Sequence, residues 1–419
     1  MRRRPRATSA EDAGAAHPDG RSDGPPDDSA AHVGRDAHDH DHDHDADEHD
    51  HVREGTHGET IGAGSTRAPR RRRPLVGRSL SGFLFLLVLL GLVAQFVTLP
   101  FVILRPGPAV DVLGTPEDGA PVVTVAGAKT YPTSGSLFFT TVAQYGGPGR
   151  RPNAWDVGVA FVDPRAELMR ESVVYPPQVS EKQVRDENTA AMTDSQQEAV
   201  AVALRRVGRP VTERAVVARV LPDGPAEGVV EKGDVVTAVD GRPVAHAADI
   251  TAHIQKTTGP VRLTVLRGGK ERTLTLTPVV REKRRLVGIL VQPTFSFGVD
   301  VAIHAGDVGG PSAGMMFGLG IYDTLTPGAL TGGRRIAGTG TLDSTGRVGP
   351  IGGIEQKLQG AKDAGAGWFL APRTNCGEVV GHVPAGLVVT PVTTFDEALD
   401  AVESIAAGKG NTLPACPAG

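Results

Sequence analysis

Hydrophobic residues are distributed unevenly along the chain, and their densest run comes early. No charged residue occurs between Arg78 and Arg105, and about 20 consecutive apolar residues in helical form cross the hydrocarbon core of a bilayer. This pattern predicts a single transmembrane helix over residues 79–104, which Pro100 kinks or ends near its outer edge. Six arginines lie in residues 61–78, but only Arg105 follows the run closely. The positive-inside rule therefore predicts a cell-membrane protein with a cytoplasmic N-terminus and an extracytoplasmic remainder.

Two different patterns follow the uncharged run. Residues 105–210 combine short β-like runs with one long amphipathic stretch, in which Ala199, Ala203 and Val207 recur at helical spacing. We expect this part to be an extracytoplasmic α/β segment that supplies strands to the same fold as the C-terminal part of the chain. Residues 211–282 instead alternate short β-runs with Asp-Gly and Gly-Gly turns, around one helix-like piece.

The block 211–282 resembles a PDZ domain, through "DGPAEG", "EKGDVVTAVDGRPV" and "GPVRLTVLRGG". A PDZ domain binds an extended peptide as an added strand, and its backbone N–H groups hold the terminal carboxylate. The loop expected to do this, near residues 212–220, departs from the usual Gly-apolar-Gly-apolar pattern. The resemblance therefore implies a groove for extended peptide and leaves open whether that groove holds a C-terminus.

The N-terminal part of the chain differs in composition from the rest. Residues 1–60 hold 16 acidic residues, seven arginines and nine of the 13 histidines, with almost no large apolar residue. Such a segment cannot bury enough apolar surface to offset chain entropy, so residues 1–78 are predicted to be a disordered cytoplasmic tail. Alternating His and Asp could bind a metal weakly or simply form a solvated tail. The candidate ligands are His38, His40, His42 and His44.

Charge and cysteine content add two further constraints. The formal net charge of −4 averages over segments of opposite charge, so it argues neither for nor against nucleic-acid binding. No basic patch interleaved with aromatic residues occurs, and no nucleic-acid partner is predicted. Cys376 and Cys416 are the only cysteines of the chain. They either form a disulfide, which would fasten the C-terminal tail 406–419, or remain two free thiols.

Ser312 lies in the sequence "GGPSAG", immediately before an apolar run that predicts a helix. Such a serine either caps the helix or serves as a nucleophile. A phosphate-binding loop is excluded because no GxxxxGK[ST] occurs in the sequence.

A nucleophilic serine needs a base, and a lysine can serve when an apolar site lowers its pKa. Lys357 shares a helical stripe with Ile354, Leu358 and Ala361. It therefore either points towards the core, or extends its ammonium group to the surface.

Together, "GGPSAG" and "GRVGPIGGIEQK" resemble the proteolytic domain of the Lon proteases over residues 283–405. The resemblance implies that Ser312 is the nucleophile and Lys357 the base, and that Thr339 orients the lysine. It also implies that the backbone at Gly310 and Ala313 forms the oxyanion site and lets substrate approach closely. Two positions depart from the family, which often has an acidic residue where this chain has Gly309 and Thr341.

The order of the three blocks is similar to that of the membrane-anchored, PDZ-bearing Lon-like proteases of bacteria, which lack the ATPase ring. The expected fold class is α/β, with a single transmembrane helix, a PDZ-like β-rich domain and a Lon-type proteolytic α/β domain. The resemblance implies an ATP-independent serine endopeptidase that uses a Ser-Lys dyad on extracytoplasmic proteins or peptides. It needs no cofactor, and a homo-oligomeric ring is the expected assembly. The alternative is a non-catalytic PDZ adaptor at the membrane.

Overall fold

The structure, a computed structural model, describes residues 76–116 and 119–417. The predictions made for residues 1–75, including the disordered tail and its histidine ligands, lie outside the described residues. In chain order the described helices and strands are α1 (Val76–Ala94), β1 (Phe101–Asp111), β2 (Val123–Ala126), β3 (Ser136–Tyr145), α2 (Ala154–Val162), β4 (Glu167–Arg170), α3 (Glu171–Val174), α4 (Glu181–Arg206), β5 (Val211–Val220), β6 (Val235–Val239), β7 (Arg242–Pro243), α5 (Ala247–Lys256), β8 (Val261–Arg267), β9 (Lys270–Leu276), β10 (Val279–Arg281), β11 (Arg284–Leu286), β12 (Ile289–Phe297), β13 (Asp300–Ile303), α6 (Gly314–Leu325), β14 (Arg335–Gly338), β15 (Thr341–Leu342), β16 (Val348–Gly349), α7 (Ile354–Asp363), β17 (Trp368–Pro372), α8 (Cys376–Val379), β18 (Val388–Val392) and α9 (Phe395–Ala406).

The uncharged run of residues 79–104 is divided between a helix and a strand. Helix α1 ends at Ala94, and the last apolar residues of the run begin β1, in which Val102 is fully buried. Among residues 76–116 and 119–417, no helix is both long and apolar enough to cross a membrane. The prediction of a transmembrane helix over 79–104 is therefore wrong, and the cell-membrane localisation and orientation inferred from it are wrong as well. The physical reason is that the backbone of β1 bonds to β3 and β4 instead of continuing the helix.

The largest apolar core surrounds a sheet with the strand order β18-β17-β14-β3-β1-β4. Strands β1, β3 and β4 precede the PDZ-like block in sequence, whereas β14, β17 and β18 follow it. Successive residues of β3 point to opposite faces of this sheet. Leu137 and Phe139 pack with α6, where the rings of Phe139 and Phe317 meet edge to face at 5.2 Å, while Phe138 packs with α7. The sheet is thus covered by α6 on one face and α7 on the other.

The PDZ-like block is built on a second sheet, with the order β12-β5-β6-β8-β9. Its apolar core includes Val217, Val236 and Leu263, and is closed by Ile250 and Ile254 of α5. Strand β12 pairs along the length of β5, so the sheet extends beyond residue 282.

Glu213, on β5, connects the PDZ-like block to the first core. Its carboxylate accepts hydrogen bonds from Arg205 of α4 at 2.7 Å, from the Ser344 hydroxyl at 3.1 Å and from the Ala247 N–H at 3.0 Å. The ring of His246 lies 2.8 Å away. Burial would raise the pKa of Glu213, but the hydrogen bonds, first those from His246 and Arg205, outweigh it and lower that pKa. A charged Glu213 therefore holds together the end of α4, the start of α5 and the turn before β16.

The C-terminal segment is fastened by a disulfide. Cys376 at the start of α8 is bonded to Cys416, and Cys416 packs against the apolar cluster on the α7 side of the sheet. The structure thus decides between the two alternatives that the sequence left open.

Replacing Cys416 by serine is expected to lower the free energy of unfolding by about 2–4 kcal/mol, because the disulfide closes a loop with a sequence separation of 40 residues. Urea denaturation without reductant measures this difference. In dithiothreitol the wild type should fall to the level of the variant, while the variant should not change. Equal denaturation midpoints without reductant would contradict the prediction.

Candidate active site

Ser312 lies in the loop between β13 and α6. The loop turns at Gly310, whose φ of 84° favours glycine. Helix α6 begins at Gly314 with Ala313 as its N-cap, and no side chain caps it. The Ser312 hydroxyl therefore does not act as a helix cap, and its Oγ lies 2.8 Å from Nζ of Lys357.

Lys357 is buried on the inner face of α7. Ile354, Leu358 and Ala361 of the same helix are also buried, and Lys357 is only 3% exposed. Burial removes water from the ammonium group and lowers the pKa of Lys357 from 10.5 to about 8. A substantial fraction of the amine is therefore neutral at mildly alkaline pH, and a neutral amine can accept a proton from Ser312.

Thr339, at the end of β14, holds both members of this pair. Its Oγ1 accepts a hydrogen bond from Nζ of Lys357 at 3.0 Å and donates one to the Ser312 carbonyl at 3.0 Å. The backbone of Thr339 is fixed to the sheet by a bond from its N–H to the Leu370 carbonyl. Thr339 is fully buried, so its hydroxyl has no water to compete for these bonds.

The backbone around Ser312 offers free N–H groups. Within residues 76–116 and 119–417, the N–H groups of Ser312 and Ala313 make no hydrogen bond. The N–H of Gly310, which the resemblance assigned to the oxyanion site, instead donates to the Asn188 carbonyl at 3.0 Å. Gly310 therefore allows the loop to turn, but its N–H is already bonded. The N–H groups that remain without an acceptor in this loop segment are those of Ser312 and Ala313.

Comparison with protein families decides what kind of domain holds this site. Residues 270–404 match the Lon protease (S16) C-terminal proteolytic domain, and residues 182–277 match the PDZ domain. The chain contains a Lon-type proteolytic domain. It carries a PDZ domain as well, and the matches support a serine peptidase of the Lon family.

Several Lon proteases resemble this part of the chain. The Lon protease of Chloroflexus aurantiacus is 30% identical over 53% of this chain and 26% of its own length. Lon protease 1 of Bacillus subtilis is 29% identical over 41% of this chain and 24% of its own length. The chain thus spans about a quarter of the length of these two relatives. The solved PDZ domain of the SdrC-like protein from Listeria innocua is 23% identical, with a TM-score of 0.18, over 19% of this chain and 92% of that domain.

The Lon-type domain departs from its family at Gly309, and packing explains why. A Cβ atom at Gly309 would lie 3.0 Å from Cβ of Asn188, which belongs to α4. A side chain at this position would require Asn188 to shift by a few tenths of an ångström. Sequence reasoning missed Asn188 and Ser195, because neither belongs to a catalytic motif and both are more than 100 residues before Ser312. Both lie in the predicted amphipathic helix, but nothing in its periodicity indicates a contact with Ser312.

The dyad opens into a cleft of about 1140 Å³. Thr341, the second departure from the family pattern, lines this cleft together with Ser312 and Lys357. One wall consists of the end of β3, namely Thr140, Thr141, Val142, Ala143 and Gln144. A cleft of this size, with the Ser312 hydroxyl and the Lys357 amine at its wall, can hold several residues of an extended peptide.

The described residues contain no group of three or more His, Cys, Asp or Glu side chains placed to hold a metal ion.

Proposed function

We propose that this protein is an ATP-independent serine endopeptidase that cleaves peptide bonds with Ser312 as nucleophile and Lys357 as general base. The observation that carries the proposal is the 2.8 Å separation of Lys357 Nζ and Ser312 Oγ, at a lysine that is 3% exposed. A surface lysine would be charged and could not accept the serine proton. Burial and proximity together provide the activated nucleophile that acyl transfer requires.

The reaction begins when neutral Lys357 accepts the hydroxyl proton as Ser312 Oγ attacks the peptide carbonyl carbon. The resulting ammonium group then donates this proton to the leaving amine, the C–N bond breaks and an acyl ester remains on Ser312. Water then attacks the ester carbon while Lys357 accepts a proton from it. The ester C–O bond breaks, Lys357 returns the proton to Oγ of Ser312, and the carboxyl product is released. Thr339 keeps Nζ aligned with Oγ through both halves of the cycle.

The negative oxygen of each tetrahedral intermediate needs hydrogen-bond donors. The N–H groups of Ser312 and Ala313 are suited to this role because they are free and lie at the N-terminus of α6.

Substrate binds beside β3, which is only partly paired on one edge. Strand β14 covers Ser136–Phe139 and ends at Gly338, one residue before Thr339, whereas β1 covers the other edge up to Tyr145. The edge of β3 beyond Phe139 has no strand partner among the described strands, and it lines the cleft. An extended peptide can add there as a strand, with its backbone bonded to β3 and its carbonyl carbon beside Ser312.

The PDZ domain offers a second edge for an extended peptide. Strand β5 pairs with β12 along its length and with β6 at Ala215 and Val216, so neither of its edges is open along the whole strand. Strand β12 is the outer strand of the sheet, and α5 packs against it. We assign substrate selection or gating to the groove between β12 and α5.

The full chain, offered unfolded casein, should cleave it equally with and without ATP and magnesium, because the sequence has no GxxxxGK[ST]. A fluorophosphonate should label Ser312 alone, as measured by peptide mass spectrometry. Cleavage that requires ATP would contradict ATP independence. An intact casein band, or equal cleavage by the Ser312→Ala variant, would leave the PDZ adaptor as the better account.

Thr339→Val keeps the shape of the side chain and removes its hydroxyl. We expect kcat/KM to fall about 10- to 100-fold, because Nζ of Lys357 loses the partner that aligns it with Oγ of Ser312. Thr339→Ser retains the hydroxyl and should keep most of the activity. Steady-state kinetics on a fluorogenic peptide compare the two variants, and equal rates for both would contradict the role of the hydroxyl.

A further inference from the structure

Helix α4 contacts the loop of the nucleophile at two points. The hydroxyl of Ser195 donates a hydrogen bond to the Pro311 carbonyl at 3.0 Å. About two turns earlier on the helix, the Asn188 carbonyl accepts a hydrogen bond from the N–H of Gly310 at 3.0 Å. Ser195 is 2% exposed, so its hydroxyl is reserved for this contact.

The contact is made by close approach. A Cβ atom at Gly314 would lie 2.6 Å from Oγ of Ser195, and one at Gly309 would lie 3.0 Å from Cβ of Asn188. Glycine on both sides of Ser312 therefore lets α4 reach the backbone of the loop.

The bond from Ser195 determines the direction of the Ser312 N–H. The peptide unit between Pro311 and Ser312 is planar and trans, so its carbonyl and its N–H point in opposite directions. Because the Pro311 carbonyl is held towards α4, the Ser312 N–H is turned away from α4. Pro311 is exposed, and without this bond its carbonyl could turn towards water and rotate the N–H with it.

We propose that Ser195 is a positioning residue for the oxyanion site, acting through the Pro311–Ser312 peptide unit; this inference rests on the proposed peptidase function. Ser195 touches neither Lys357 nor the Ser312 hydroxyl, so it does not affect the proton transfer itself. Ser195 stabilises the step in which the substrate carbonyl oxygen becomes negative, and this step follows substrate binding. Loss of Ser195 therefore lowers kcat and leaves KM unchanged.

The test compares Ser195→Ala with Thr193→Ala in the full chain. Thr193 is on the same helix, but its hydroxyl bonds to the Thr189 carbonyl of that helix and not to the loop. Ser195→Ala should lower kcat about 10- to 100-fold at constant KM and with an unchanged pH midpoint, whereas Thr193→Ala should match the wild type. Thermal unfolding followed by circular dichroism should give similar melting temperatures for all three proteins.

A second measurement distinguishes an effect on the orientation of the Ser312 N–H from an effect on peptide binding. A peptide aldehyde, which forms a tetrahedral adduct with Ser312, should bind Ser195→Ala about 10- to 100-fold more weakly. The matching peptide alcohol, which forms no adduct, should bind both proteins equally. Equal kcat, or parallel weakening of aldehyde and alcohol, would overturn the inference while the wild-type activity stands. An inactive wild type would overturn the proposed function and this inference with it.

Discussion

Ser312→Ala and Lys357→Ala should each lower kcat/KM for peptide cleavage by at least about 10³-fold. Without Oγ there is no atom to form the acyl ester. Without Nζ, which lies 2.8 Å from Oγ, no base accepts the proton of the hydroxyl. Because the two groups act as a unit, the double variant should be no less active than either single variant.

The matched control for the lysine variant is Lys362→Ala. Lys362 belongs to the last turn of the same helix but is exposed, so its removal should leave the rate within about twofold. Rates are measured with a fluorogenic peptide, and melting temperatures are recorded for each variant. Ser312→Ala removes a single atom and should remain folded. Substantial turnover by either dyad variant would show that a different group activates the nucleophile.

The second large effect is on pH dependence. The free base form of Lys357 is the active one, and its pKa is lowered to about 8 by burial. Below that value, kcat/KM should rise about tenfold for each pH unit, and above it the profile should level off. Initial rates between pH 6 and pH 10 measure the midpoint. A flat profile, or one that falls between pH 6 and pH 8, would contradict a lysine base.

The same pKa shift has a consequence for stability. Between about pH 8 and pH 10.5 the unfolded chain binds the lysine proton and the folded chain does not. The contribution of Lys357 to the free energy of unfolding therefore rises with pH across this window and is constant outside it. The activity thus changes below about pH 8, and the contribution of Lys357 to the free energy of unfolding changes between about pH 8 and pH 10.5. The two effects can therefore be measured separately.

Local pattern, together with the family motifs, was sufficient to single out the two side chains of the proposed site. The stripe of Ile354, Lys357 and Leu358 follows helical periodicity, and periodicity determines which side of a helix is buried. Together with the family motifs, this stripe identified Lys357 as the partner of Ser312 from the sequence alone. The two residues are 45 positions apart, and the structure brings them to 2.8 Å.

Local pattern failed where one signal has two physical meanings. An uncharged run is favourable in a bilayer and equally favourable in a protein core, because both exclude water. The run of 79–104 was read as one helix, but Val102 and Ile103 lie in a sheet whose other strands come from distant parts of the chain.

The sequence by itself indicated the PDZ and Lon-type blocks and singled out the serine and the lysine, whereas the burial of the lysine was decided by the structure. Tertiary structure alone decided that Cys376 bonds to Cys416, that Gly310 has already used its N–H, and that Ser195 holds the loop of Ser312. These contacts join residues that are separated by 40 to 122 positions. No periodicity reports such contacts, because they depend on how whole elements pack and not on the residues next to them.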